Sequence, residues 1–253
     1  MILLIFAIVI LILAHVYFRQ KRKVIIIQCD NRSSDYIELS KKVNTLAASK
    51  LNYEYTFLNV DMNKYKDKDV HPATAKIYVV EELFTKYPKD TILIFLDTDA
   101  WIRDLNSVDS IVKTVSKSDK LGCCVRDPYH TKNTYINSGV FIIKLNDEMH
   151  SIYKKIKNEV DINPEYKKKW PFDQFYISNY IHENRNRFII LKPIAINTPK
   201  GKFIVHDWYK NTCISSMNDI LKNGFTTDTT FKIEDYIDSH DYPNHPDDQE
   251  TYE

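Results

Sequence analysis

An α/β fold with a doubly wound, mostly parallel mixed sheet is predicted by three observations. Apolar runs of strand length alternate with amphipathic helical stretches from Val24 onward, and their βαβαβ order calls for a parallel sheet. Thr91 to Leu96 is continuously apolar, as in a strand buried on both faces. It ends on Asp97-Thr98-Asp99, two carboxylates at the carboxyl end of a strand, where open α/β sheets bind their ligands.

Val24 to Cys29 is the first buried strand and ends at Asp30-Asn31-Arg32. Ser33 or Ser34 caps a helix that sets Tyr36, Leu39, Val43, Leu46 and Ala47 on one face, and Tyr53 to Leu58 alternates as a second strand. Pro72 opens a helix to about Lys86 with Ile77, Val80 and Leu83 inward, and Tyr87-Pro88-Lys89-Asp90 turns into the aspartate strand. Next come a helix near Ser107 to Ser116, a strand at Leu121 to Arg126 and a polar loop to Asn133. Tyr135 to Lys144 carries Asn137-Ser138-Gly139 at the head of a strand, Val140 to Ile143. Helices over Asp147 to Val160 and Asp173 to about His182, with short strands at Arg187 to Leu191 and Phe203 to His206, complete the order. Lys167-Lys168-Lys169-Trp170 reads as a solvated basic turn, with contact to an anionic acceptor or a membrane as the alternative.

The 253 residues suffice for one α/β domain with a sizeable core. With 35 basic against 34 acidic residues there is no general basic field, and nucleic acid is not an expected partner. The four glycines, Gly122, Gly139, Gly201 and Gly224, are too far apart for a P-loop or a G-x-G-x-x-G turn. A diphosphate would therefore be anchored by a divalent cation on Asp97 and Asp99, a hard-ligand pair at the end of a strand. Cys29, Cys123, Cys124 and Cys213 lack zinc spacing and read as reduced core residues.

Met1 to Phe18 is apolar apart from His15 and Tyr17 and as a helix would measure about 27 Å, close to the hydrocarbon thickness of a bilayer. The division expected is a transmembrane anchor over 1–18, a basic juxtamembrane segment over 19–23, a catalytic domain over 24–233 and an acidic, poorly ordered tail over 234–253. Arg19, Lys21, Arg22 and Lys23 follow the span, which places the domain on the cytoplasmic side. The sequon Asn31-Arg32-Ser33 speaks for the alternative, a Golgi lumen.

Four polar clusters each close an apolar run: Asp30-Asn31-Arg32, Asp97-Thr98-Asp99, Asn137-Ser138-Gly139 and His206-Asp207-Trp208, with Asp173-Gln174 opening a helix between the last two. Together with Phe57-Leu58-Asn59-Val60-Asp61 and His71-Pro72-Ala73-Thr74-Ala75-Lys76, they resemble the nucleotide-diphospho-sugar transferase fold. Within it they resemble the galactosyl, mannosyl and xylosyl transferase family that includes Golgi mannan and xyloglucan side-chain enzymes. The resemblance runs from about Val24 to Lys210 and departs at Thr74 and at Asp207-Trp208-Tyr209.

The resemblance implies a metal-dependent glycosyltransferase moving a hexose or pentose from a nucleotide-diphosphate sugar to a glycan or protein-linked sugar, with retention of configuration. Asp99 would bind Mn2+ or Mg2+ directly, Asp97 would reach the ribose or the metal through water, and His206 would be the third ligand, a nitrogen that manganese tolerates better than magnesium. Asp30, Asn31 and Arg32 would hold the base, and Lys76 and Lys210 the diphosphate. Asp127 and Asn137 would face the donor sugar, with Gly139 allowing close backbone approach. Asp173 and Gln174 would stabilise the oxocarbenium-like centre or position the acceptor hydroxyl. Taken singly, Asp173 also reads as a helix cap, His206 as a satisfied strand-end histidine and each lysine as a surface residue. Two other functions fit parts of the pattern: a haloacid-dehalogenase-type phosphatase, which also follows a strand with Asp-x-Asp, and a membrane-tethered carbohydrate-binding protein without catalysis. A nucleotidyltransferase would need a glycine-rich loop where Asp30-Asn31-Arg32-Ser33 stands.

Overall fold

The computed structural model describes residues 22–128, 134–210 and 212–238. The expected anchor over 1–18 lies outside the described residues, among which no helix is long and apolar enough to cross a membrane. β1 (Val24–Asp30) leads through α1 (Asp35–Leu51) to β2 (Glu54–Asn59), and α2 (Pro72–Lys86) returns the chain to β3 (Thr91–Leu96). Then follow β4 (Ala100–Ile102), α3 (Leu105–Lys117), β5 (Gly122–Arg126), β6 (Ile136–Leu145), α4 (Asp147–Ile162) and α5 (Asp173–Glu183). The last elements are β7 (Phe188–Leu191), the single turn α6 (Pro193–Ile196), β8 (Ile204–His206) and α7 (Cys213–Asn223).

The main sheet has the order β2-β1-β3-β6-β5-β7. β6 pairs antiparallel with both β3 and β5, while the other pairings are parallel. Side chains alternate across each strand. Ile25, Ile27, Leu93 and Phe95 meet α2, α4 and α5 on one face, and Ile26, Ile92, Ile94 and Leu96 meet α1 and α3 on the other. Helices on both faces explain why β3 reads as an unbroken apolar run rather than an alternating one.

Asn137-Ser138-Gly139 lies inside β6 rather than at its head. Because β6 runs against its neighbours, its first residues sit beside the carboxyl ends of β3 and β5, so the motif reaches the ligand edge from within a strand. The short pairing of β4 with β8, Ala100 opposite His206 and Ile102 opposite Ile204, is a second sheet that three-residue strands could not announce by periodicity.

The inward face of α1 also differs. Ile37, Ser40, Val43, Asn44, Ala47 and Ala48 are buried, whereas Tyr36 and Leu39 are half-buried against the small cluster of Trp101, Val205 and Met217. Asn44 is drawn inward by backbone groups of β4: its Oδ1 accepts from Ile102 N at 3.0 Å and its Nδ2 donates to the Ala100 carbonyl at 3.0 Å. Ser34 is the N-cap of α1, but its side chain makes no capping bond.

Of the acidic tail expected over 234–253, residues 234–238 are folded and the rest lies outside the described residues. Ile233–Tyr236 form a 3-10 turn, Ile237 bridges to Leu191, and the buried Asp238 carboxylate pairs with Arg126. All four cysteines carry free thiols, and burial pushes those of Cys29, Cys124 and Cys213 up to about 12, which disfavours the reactive thiolate.

Asn44→Ala leaves the Ile102 N–H and weakens the hold on Ala100, so it should destabilise the protein by about 1–3 kcal/mol. Urea unfolding measures this, and a loss within error of zero would contradict the role given to Asn44.

Candidate active site

The turn after β3 is fixed by hydrogen bonds to its backbone. Asp97 N donates to the Gly139 carbonyl at 2.7 Å, and Ala100 N donates to the Asp97 carbonyl at 2.9 Å. Gln28, buried on β1, donates from Nε2 to the carbonyls of Asp97 at 2.9 Å and Ala100 at 3.2 Å. The turn therefore holds Asp97 and Asp99 toward one point. β8 brings His206 to the same point through its pairing with Ala100, reinforced by Asp207 N donating to the Asp99 carbonyl at 3.0 Å.

One ligand atom from each of Asp97, Asp99 and His206 lies within 4.8 Å of the others. His206 Nε2 is 3.2 Å from Asp99 Oδ1 and 4.0 Å from Asp97 Oδ2. Its Nδ1 bonds to Asn197 Oδ1 at 2.6 Å, an arrangement that fixes ring orientation and leaves Nε2 as the outward donor atom. Gly139 is required by this ring, since a Cβ there would stand 2.1 Å from His206 Cε1. Two carboxylates and an imidazole suit a divalent first-row cation, and Asn197 supplies the outer support such sites use.

The three groups are electrostatically coupled. Burial acts to lower the His206 pKa, but the hydrogen bond and charge of Asp99, with Asp97 behind it, outweigh burial and raise it. Asp99 is lowered because the bond and charge of His206, with Lys210, overcome its own burial. Asp97 is raised by burial, only partly offset by Lys76 and His206 and compounded by Asp99.

Lys76 occupies the floor. Its Nζ is 2.8 Å from Asp97 Oδ1 and 3.1 Å from Asp173 Oδ2, and it donates to the Ser138 carbonyl at 3.2 Å. It is no solvated lysine, and its ammonium is already shared by two carboxylates. Burial would lower its pKa, but Asp173 and Asp97 together raise it.

Beyond Lys76 stands a second polar group. Asp127 Oδ2 accepts from Asn137 Nδ2 at 2.9 Å and from Gln174 Nε2 at 3.0 Å, and Gly139 N donates to Asn137 Oδ1 at 2.8 Å. Asp173 is buried in the first turn of α5, with Phe172 rather than Asp173 as the cap residue. At the other end, Asp30 accepts from Arg32 Nε at 2.9 Å, Arg32 Nη2 at 2.8 Å and Thr98 Oγ1 at 2.8 Å. These bonds outweigh burial and lower its pKa. The Asp30 carboxylate thus organises its own loop and ties it to the residue between the two aspartates.

One cleft of about 350 Å³ is lined by Asp30, Asn31, Arg32, Lys76, Asp97, Asp99, Asn137, Gly139, Asp173, Gln174 and His206. Asp127 reaches it through Asn137 and Gln174. Lys210 does not line it; it is exposed, with Nζ 5.2 Å from the ring centre of Tyr36. Gln28, Thr98 and Asn197 support the site; Thr98 is the middle residue of the aspartate motif, Gln28 is a polar residue inside the run Val24 to Cys29, and Asn197 carries no sequence trace. Gly139→Ala should weaken Mn2+ binding by about 10–100-fold in calorimetric titration while the far-ultraviolet circular dichroism is kept; unchanged affinity would contradict the close approach to His206.

The sequence matches the galactosyl transferase GMA12/MNN10 family over residues 19–164. No curated protein matches the chain. Among solved structures, a glycosyltransferase involved in the glycosylation of the major capsid of PBCV-1 is similar with a TM-score of 0.58 and 16% identity, over 74% of this chain and 94% of that one. The galactosyltransferase LgtC in complex with donor and acceptor sugar analogues aligns with a TM-score of 0.47 and 14% identity, over 68% of this chain and 74% of that one. Mouse xyloside xylosyltransferase 1 aligns with a TM-score of 0.45 and 10% identity, over 82% and 94%. The family match spans more than half of the 253 residues, and the chain belongs to the galactosyl transferase GMA12/MNN10 family and is a glycosyltransferase.

Proposed function

We propose that this glycosyltransferase moves a hexose or pentose from a nucleoside-diphosphate sugar to a carbohydrate acceptor, a glycan or protein-linked sugar, with retention of configuration as the family resemblance implies. The observation that carries the reading is that Asp97, Asp99 and His206 converge in a cleft that Asp173 and Gln174 also line. Mn2+ is favoured over Mg2+ because one of the three donor atoms is an imidazole nitrogen. A divalent cation held by these residues supplies charge neutralisation to a departing diphosphate.

The remaining roles follow the sheet order. The loop Asp30 to Arg32, at the end of β1, takes the nucleoside. Asn137 and Gln174, oriented by Asp127, offer hydrogen bonds to the sugar hydroxyls. Asp173, kept near Lys76, presents negative charge where positive charge develops on the transferred sugar, and Lys76 positions both Asp97 and Asp173. Lys210 stands outside the cleft and reaches the diphosphate only if its flexible stem swings inward.

The domain assignment is 24–233 as the catalytic unit, extended by the folded residues to 238, behind an anchor over 1–18 and a basic segment over 19–23. A cytoplasmic orientation is supported by Arg19, Lys21, Arg22 and Lys23 after the span. The sequon adds an argument: Asn31 is exposed and lines the cleft, so a glycan on it would fill the nucleoside end. The chain directed into a secretory lumen and glycosylated should lose at least tenfold in donor turnover, and Ser33→Ala should restore it; a glycosylated chain of full activity would contradict this orientation argument.

Asp99→Ala, or a chelator, should abolish turnover of a sugar nucleotide, and Asp173→Asn should lower kcat by about 10²–10³ with donor KM nearly unchanged. Assays of a purified chain starting near Lys23 against UDP- and GDP-sugars with Mn2+ test this. Turnover indifferent to chelator and to Asp99→Ala would overturn the reading.

A further inference from the structure

Trp170 is 66% exposed, yet it lines the same cleft as Asp173 and Gln174. The indole offers a large flat apolar face with a polar N–H edge, and it is carried on a segment tied down on both sides. The Lys167 carbonyl accepts from His71 N at 3.0 Å and from Thr74 Oγ1 at 2.9 Å, which fastens the segment to the first turn of α2. Pro171 follows, and then Phe172 at φ 55°, a backbone conformation rare for a bulky residue and associated with functional sites. The Phe172 ring stacks on His71 at 4.2 Å between centres and 17° between planes. The neighbouring charges are occupied elsewhere, Lys168 with Asp69 at 2.5 Å and Lys169 with Glu165 at 3.1 Å. What remains facing the cleft is an apolar plate on a braced segment.

We propose that Trp170 is the platform on which a pyranose ring of the acceptor stacks, a reading that rests on the proposed transfer to a carbohydrate. The sheet order sets its place. Nucleoside, diphosphate and donor sugar are assigned to the ends of β1, β3 and β6, and α5 packs on β6 with Asp173 at its start. Trp170 precedes Asp173 by three residues, so it flanks the sugar end, where the acceptor hydroxyl must arrive. The C–H face of a pyranose matches a flat indole, and an aromatic side chain is ordered at low entropic cost, as at many recognition sites. Thr74 uses its hydroxyl to brace the Trp170 segment through the Lys167 carbonyl.

The test compares wild type, Trp170→Ala and Trp170→Phe with Mn2+ and sugar nucleotides, first alone and then with methyl pyranosides and short mannose, xylose and glucose oligosaccharides as acceptor probes. The expected result is that Trp170→Ala keeps donor KM and donor hydrolysis within twofold, raises acceptor KM at least tenfold, and that Trp170→Phe recovers most of the loss. Three results overturn the platform: acceptor KM unchanged in Trp170→Ala, a rise confined to donor KM, which would assign the indole to the base, or a wild type that hydrolyses donor with no response to any pyranoside. A wild type without metal-dependent donor turnover instead refutes the transfer reading itself and, with it, the platform.

Discussion

The carbonyl oxygen of Ala100 is a buried acceptor approached by three side chains, Gln28 Nε2 at 3.2 Å, Ser40 Oγ at 3.2 Å and Asn44 Nδ2 at 3.0 Å. A buried polar network of this kind is favourable only when satisfied, and it then specifies one arrangement sharply. Here it clamps the point where β3 ends and β4 begins. The Asp97-Thr98-Asp99 turn precedes Ala100, and His206 pairs opposite it. One acceptor therefore sets the positions of both carboxylates and, through the small sheet, of the imidazole.

Charge ties the turn after β3 to the start of α5. Lys76 stands between Asp97 and Asp173, so one ammonium is shared by the two carboxylates. Buried ions are tolerated when paired, and breaking such a pair is far costlier than never having made it. Removing either carboxylate would leave an under-compensated ammonium, so effects of substitutions at Asp97, Asp173 and Lys76 are expected to be non-additive. A cation brought to the site changes this balance by weakening the claim of Asp97 on Lys76.

Much of this was legible in the sequence because strands buried on both faces leave continuous apolar runs, and the polar residues that end them mark the ligand edge. Asp97, Asp99 and Asn137 were visible in that way, whereas Asp173 was marked by its place at a helix start and by the family resemblance. Their grouping was not visible from spacing alone, since Asn137 reaches the edge through an antiparallel strand and His206 through three residues of β8. The least legible parts are the supports. Ser40 and Asn44 interrupt the apolar face of α1, Gln28 interrupts β1, and Asn197 follows a single helical turn; hydrophobic periodicity treats each as noise, whereas backbone groups of β4 and the imidazole of His206 require them. Lys76 reads as a surface lysine until its two carboxylate partners are seen.

The proposed function requires that an imidazole and two carboxylates share one divalent ion. Electron spin-echo modulation of the Mn2+-loaded protein tests it directly. Nitrogen modulation from one directly bound imidazole is expected, lost in His206→Ala and weakened by Asn197→Ala. Bound Mn2+ with no nitrogen modulation, or modulation that survives His206→Ala, would contradict it.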